Sequence, residues 1–232
     1  MKNLQENIVP AVNQVKQLVF PHENSGIRIL FAGNSITKHS PKPQIGWHND
    51  CGMAASAPEK DYVHLLMQKI WKYDANAAYC IAQVGSYEAN LFTASPEQNY
   101  RKAAEFQADI LIMFFGANVP KSYDTDPNPP KTFGRAYEEM RNFLNAGNHA
   151  AVFHSQGFYI RPKLDAEKLA VAAKYGDSFM RLGDIVTRKE THGQFNHPSD
   201  LGMKQIAEVF WSHIEPAVRA LIIQNGTAQR NF

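Results

Sequence analysis

Short apolar runs recur along the chain, and most give way to a glycine. Ile29-Leu30-Phe31-Ala32 runs into Gly33, residues 78–84 into Gly85, residues 110–115 into Gly116 and residues 178–182 into Gly183, while residues 150–154 form a fifth run. Runs of this kind, without polar alternation, fit strands covered on both faces. Between them apolar residues fall at helical spacing. Tyr62, Val63, Leu66 and Ile70 share one face, as do Tyr100, Ala104 and Phe106, then Phe133, Tyr137, Met140 and Leu144, and finally Met203, Ile206, Ala207, Phe210, Trp211 and Ile214. Residues 164–175 read as a further helix, with Gly176 placed for its C-cap. Strands alternating with helices predict an α/β fold: a three-layer αβα sandwich of about five parallel strands joined by right-handed crossovers.

The ends of these elements carry their own signals. Ser56-Ala57-Pro58-Glu59 and Ser95-Pro96-Glu97-Gln98 are capping boxes with proline in the first turn, and Ser199 is placed to cap the last helix, which Pro216 should kink or end. Leu4, Ile8, Val12, Val15 and Val19 predict an amphipathic helical segment within residues 1–20, starting near Pro10. Residues 225–232 read as a polar tail. Residues 38–57 hold two prolines, two glycines and the apolar Ile45, Trp47 and Met53. A loop of that length is uncommon unless functional, so it is a candidate pocket wall beside Ser35.

Composition narrows the class. The 232 residues fit one large domain, and 44% hydrophobic with 20% charged residues is ordinary globular usage. Twenty-four Lys and Arg are scattered among 22 acids, for a net charge of +2, so no basic stripe marks a nucleic-acid surface. No apolar run reaches the roughly 20 residues of a membrane span, and no export signal opens the chain, which makes the cytoplasm the default expectation. Cys51 and Cys80 are too few for a disulfide framework, and Cys80 reads as a buried strand residue. The nine histidines show no HExxH or CxxC companion spacing, and no GxGxxG or phosphate loop follows the first strand. Neither a metal nor a cofactor is therefore expected.

Candidate chemistry sits at the strand ends. Ser35 follows the first strand, where ligands of open α/β sheets bind, although a serine there could also cap a following helix. His197 opens the segment Asn196-His197-Pro198-Ser199-Asp200-Leu201-Gly202-Met203 just before the last helix. Gly85 and Asn118, in Gly116-Ala117-Asn118, follow two further strands. The order Ser, Gly, Asn, His, together with the blocks Gly33-Asn34-Ser35-Ile36-Thr37 and His197 to Met203, resembles the SGNH hydrolases, the broad GDSL-like esterase and lipase family. The resemblance spans about residues 28 to 212 and implies a flavodoxin-like sandwich.

It also implies roles. Ser35 would be the nucleophile and His197 its base; the Ser35 and Gly85 backbone N–H groups and the Asn118 amide would form an oxyanion hole. The substrate would be a small-molecule ester, with short acyl groups on carbohydrate alcohols as one possibility and lipase or thioesterase chemistry as others. The family usually carries an acid three residues before the histidine, and here that position is Gln194. Gln194 can fix the imidazole tautomer without supplying charge, while Asp184, Glu190 or a backbone carbonyl are alternatives. Asp200 fits better as a first-turn helix acid. The departure at Gln194 also leaves open a non-catalytic relative that binds a carbohydrate or a protein.

Overall fold

A computed structural model describes the backbone of residues 7–9, residues 26–224 in full, and the backbone of residues 225–228. The five expected strands are present: β2 (Arg28–Gly33), β3 (Ala78–Gln83), β4 (Ile110–Phe114), β5 (Ala151–Ser155) and β6 (Ser178–Met180). A sixth, β1 (Asn7–Val9), pairs in parallel with β3 at the sheet edge. These three residues fall within the segment 1–20 expected to be helical, ahead of its expected start near Pro10, and the remainder of that segment lies outside the described residues; of the expected polar tail, residues 225–228 continue α7 and residues 229–232 lie outside the described residues. All pairings are parallel and the order is β1-β3-β2-β4-β5-β6. From β3 to β6 this is the doubly wound pattern whose strand order reverses beside β2, between β3 and β4.

Alternation along β2 and β4 sorts the core into two layers. Ile29, Phe31, Ile110, Ile112 and Phe114 pack against α1 (Tyr62–Ile70) and α7 (Asp200–Ala228). Leu30, Ala32, Leu111 and Met113 face the opposite layer, with Tyr137, Met140 and Leu144 of α5 (Phe133–Leu144) and Leu164 and Val171 of α6 (Pro162–Tyr175). Every residue of β4 is buried, as a central parallel strand requires. Among the described residues no helix is long and apolar enough to cross a membrane.

Element ends differ from expectation in four places. The Ser56 capping signature yields only a 3-10 turn, Pro58–Lys60, and the helix proper starts after Asp61, whose carboxylate accepts the His64 N–H at 2.8 Å. The second signature opens α3 (Pro96–Asn99), which breaks at Tyr100 before α4 (Arg101–Glu105). Gly85 is not merely a turn: it begins the short helix α2 (Gly85–Ala89). Pro216 does not end α7, since it lies on the solvent face, where water can serve the carbonyl it leaves free.

The second layer is pinned by one buried ionic knot. Arg141 of α5 makes a two-pronged contact with Asp177, at 2.9 and 3.0 Å, and His154 of β5 shares the same carboxylate at 2.9 Å. Burial holds the His154 ring neutral, pushing its pKa below the usual histidine range. Removing one partner of such a knot leaves an uncompensated buried charge. Arg141→Met should therefore lower stability by about 3–5 kcal/mol, read as a fall in urea midpoint at unchanged slope.

Candidate active site

Strand register brings the candidate residues to one edge. Gly33 pairs with Gln83 on one side and Phe114 on the other, so Ser35, Gly85 and Gly116 each lie two residues beyond the same row. Ser35 sits in a tight turn in which the Asn34 carbonyl accepts the N–H groups of Thr37 and Lys38, at 2.9 and 3.0 Å. No helix follows directly, so Ser35 is not a cap. The turn folds back so closely that a β-carbon on Gly33 would sit 1.8 Å from Thr37 Oγ1. Thr37 in turn shares a 2.7 Å hydrogen bond with Tyr62, whose ring is wedged between Phe31, Phe114 and Phe210. The turn is thereby anchored in the core.

His197 meets this turn from 162 residues away: Ser35 Oγ and His197 Nε2 are 2.8 Å apart. On the other side of the ring, Nδ1 lies 2.9 Å from the Phe195 carbonyl and 3.4 Å from the Tyr159 hydroxyl. A carbonyl oxygen only accepts, so Nδ1 carries the proton and the Nε2 lone pair faces the serine. Phe195 and Asn196 both adopt φ of +57°, a left-handed conformation that costs non-glycine residues on the order of 1–3 kcal/mol each. That strained pair turns the Phe195 carbonyl back onto the ring two residues later. Burial pushes the His197 pKa below its usual range, the Phe195 carbonyl opposes that shift, and repulsion from His39 adds to it.

The expected orienting residues are elsewhere. Gln194 is exposed on the far side of its turn, in a depression with Trp47, His48 and Leu201, and Asp184 is exposed and paired with Arg188 at 3.2 Å. Of the alternatives open in the sequence, the structure puts the backbone carbonyl at Nδ1. Such an interaction belongs to local backbone conformation, which residue identity at 194 does not reveal. Asp200 opens α7 and accepts the Ser56 N–H and hydroxyl at 2.8 and 2.7 Å.

Asn118 lines a cleft of about 480 Å³ together with Ser35, His197, Tyr159, Phe195 and Arg161. Arg161 ties the loop after Asn118 in place, donating to the Val119 carbonyl at 2.6 Å and to Asp124 at 2.9 Å. Gly85 is adjacent, for a β-carbon there would lie 3.4 Å from Asn118 Nδ2, but its N–H donates to Gln83 Oε1 at 2.8 Å. Residues 38–57 line the neighbouring depression instead of this cleft, although Met53 N–H does bond the Ser35 carbonyl at 2.8 Å. Their apolar side chains Trp47 and Met53 are consumed as core.

Two neighbours escaped the sequence reading. Tyr159 has no motif around it. Glu88, three residues after Gly85, is fully buried and accepts hydrogen bonds from Asn118 Nδ2 and the Gly116 N–H. Burial raises its pKa to about 7 against the pull of these donors. An acid in a short segment next to apolar Leu91 and Phe92 was the available signal, but nothing in the linear chain pairs it with Asn118. Among the described residues no group of three or more His, Cys, Asp and Glu is placed to hold a metal ion.

The ring geometry is testable without assuming a reaction. Nitrogen-15 chemical shifts of His197 should show the Nδ1–H tautomer at pH 8, and both Gln194→Ala and Asp184→Asn should leave those shifts unchanged. An altered tautomer in either variant would restore that side chain to the orienting position.

No protein-family model matches the chain, and no curated protein sequence matches it. Solved structures do. A two-domain esterase active on acetylated mannans, crystallised with mannopentaose, superposes with a TM-score of 0.57 at 18% identity over 84% of this chain and 50% of its own, so this chain spans about half the length of that protein. A psychrotrophic esterase, EstA, from Pseudoalteromonas, inhibited by monoethylphosphonate, gives 0.54 at 12% identity over 83% and 98%. A family two carbohydrate esterase from Clostridium thermocellum gives 0.55 at 14% over 82% and 63%. A GDSL-like lipase structure from Bacteroides ovatus gives 0.56 at 13% over 83% and 99%. With its strand order and layers, the chain has the fold of the SGNH hydrolases.

Proposed function

We propose that this protein is a serine esterase that removes short acyl groups from alcohols, carbohydrate alcohols foremost, through an acyl-enzyme. The observation that carries the reading is the 2.8 Å contact between Ser35 Oγ and an imidazole whose opposite nitrogen is held by a carbonyl. As Ser35 attacks the ester carbon, His197 Nε2 takes its proton and later delivers it to the departing alcohol. The oxyanion would meet the Ser35 N–H and the Asn118 amide, with Gly85 joining if the oxyanion displaces Gln83. Each such donor is worth about 3 kcal/mol in the barrier. Water then hydrolyses the acyl-enzyme by the same proton route.

Short acyl groups fit a second, small pocket of about 20 Å³ that shares Ala117, Tyr159 and Arg161 with the cleft and is lined by Asn34 and Ile36, the neighbours of Ser35. Such a space holds roughly one water or methyl group. The alcohol side is wide, and exposed Phe195 and Ile160 flank it. A carbohydrate alcohol is favoured because mannan and carbohydrate esterases are among the structural neighbours.

Ser35→Ala should keep the fold and abolish both p-nitrophenyl acetate hydrolysis and labelling by a fluorophosphonate. A wild-type protein that neither labels nor turns over would favour a non-catalytic binder. In a series from acetate to decanoate, turnover should peak at the shortest chains, and a maximum at octanoate would contradict the small pocket. Because the His197 pKa is lowered, its neutral, base-competent form persists below pH 6.5. Plotted against pH, kcat/KM should show an acid limb centred below 6.5, separate from any step near 7 set by Glu88, and absence of a limb below 6.5 would argue against His197 as base.

A further inference from the structure

Glu88 is buried where a carboxylate is costly, and it is not one of the groups that the proposed reaction uses. It hangs from α2 at the exit of β3, one turn past Gly85. Its Oε1 accepts Asn118 Nδ2 and its Oε2 accepts the Gly116 N–H, both from the exit of β4. The Asn34 side chain, at the exit of β2 and next to Ser35, also donates to it, while Asn34 Oδ1 takes the Ile36 N–H at 3.1 Å. One carboxylate therefore collects donors from the two strand ends that carry Ser35 and Asn118.

The donor pattern has a directional consequence. An asparagine amide is nearly symmetric in shape but not in chemistry, and an ionised carboxylate only accepts. Facing Glu88, Asn118 must present nitrogen, which leaves its second N–H for another acceptor and keeps its oxygen away from this contact. We infer that Glu88 is a positioning residue: it fixes which way the Asn118 amide stands and ties the Ser35 turn to it. This rests on the esterase reading for its catalytic consequence, not for its geometry. The charged and titratable groups around it are Lys168 of α6, itself bonded to Asp165 at 3.2 Å, and Tyr159, with Arg161 and His197 across the cleft.

A double-mutant cycle at pH 8, above the titration of Glu88, tests the inference with p-nitrophenyl acetate. Glu88→Gln keeps the shape but offers a donor where only an acceptor served, so the Asn118 amide should turn over. The kcat should fall about 100-fold with KM nearly unchanged, as for loss of one oxyanion donor. In the Asn118→Ala background the same change should cost less than about threefold, because the group through which Glu88 acts is gone. Equal losses in both backgrounds, or an unaltered kcat, would overturn the inference. Absence of Ser35-dependent turnover in the wild type would instead sink the esterase reading, and the geometry would then be read by NMR. At pH 8 the side-chain amide protons of Asn118 and Asn34 should be shifted downfield and protected from exchange, and both sets should move in Glu88→Gln. Should that variant not fold, the wild-type signals decide: Asn118 and Asn34 amides should titrate together with one midpoint near 7, distinct from that of His197. An Asn118 signal that stays flat from pH 5 to 9 would refute the contact.

Discussion

Burial of β2 and β4 on both faces is the constraint from which the rest of the molecule follows. Past Arg28, neither β2 nor β4 carries a polar side chain along its length, and the polar groups stand at the strand ends. The common register of β3, β2 and β4 then sets those ends in one row. Ser35, Gly85 and Gly116 come together because three apolar segments stop in step, and the reversal of strand order around β2 leaves the crevice there open. The core also reaches directly into the site, since Tyr62 holds the Ser35 turn from within the aromatic cluster.

What was legible in the sequence is what local physics determines. Apolar runs revealed the five strands, helical spacing revealed the inner faces of α1, α5 and α7, and Gly176 at φ of +68° shows why a glycine marks the end of α6. What escaped depends on distant partners or on backbone conformation. Asn7–Val9 is too short a strand to show a period, and its pairing with β3 is decided far along the chain. The start of α1 moved to Asp61 because that carboxylate also accepts the Gly52 N–H, a tertiary contact invisible to a capping motif. In the site, the meeting of Ser35 with His197 was legible through their two blocks and the nearness of Asn118 through the order of the pieces, whereas Glu88 and the Phe195 carbonyl were not, one having no motif and the other no side chain to read.

The support given to His197 divides two duties that a carboxylate would perform together. Holding the tautomer needs only an acceptor in the right place, and the Phe195 carbonyl provides it through a backbone strained at two successive residues. Stabilising the imidazolium needs negative charge, of which a carbonyl dipole offers only a fraction. A rigid local loop is thus substituted for a charge, at a cost in backbone strain. The lowered His197 pKa is the same trade seen in the ground state: a ring that is buried and lacks a carboxylate partner resists protonation, which suits the proposed role of base but makes the ring a more strained cation.

Charge in the cleft is accordingly placed in an unusual way. Negative charge stands behind the amide that faces the proposed oxyanion, in Glu88, and not behind the histidine. Coulomb's law makes that arrangement unfavourable for a developing oxyanion, so orientation of Asn118 is obtained against an electrostatic cost. Lys168, buried beneath the same strand ends and coupled to Glu88, offsets part of it. Because burial sets the Glu88 pKa at about 7, the balance shifts within the neutral range: protonation removes the opposing charge but also gives the carboxyl a hydrogen among groups that are all donors. The two effects act on the same step in opposite senses, so the ionised form serves the site only while fixing the amide is worth more than the repulsion it brings.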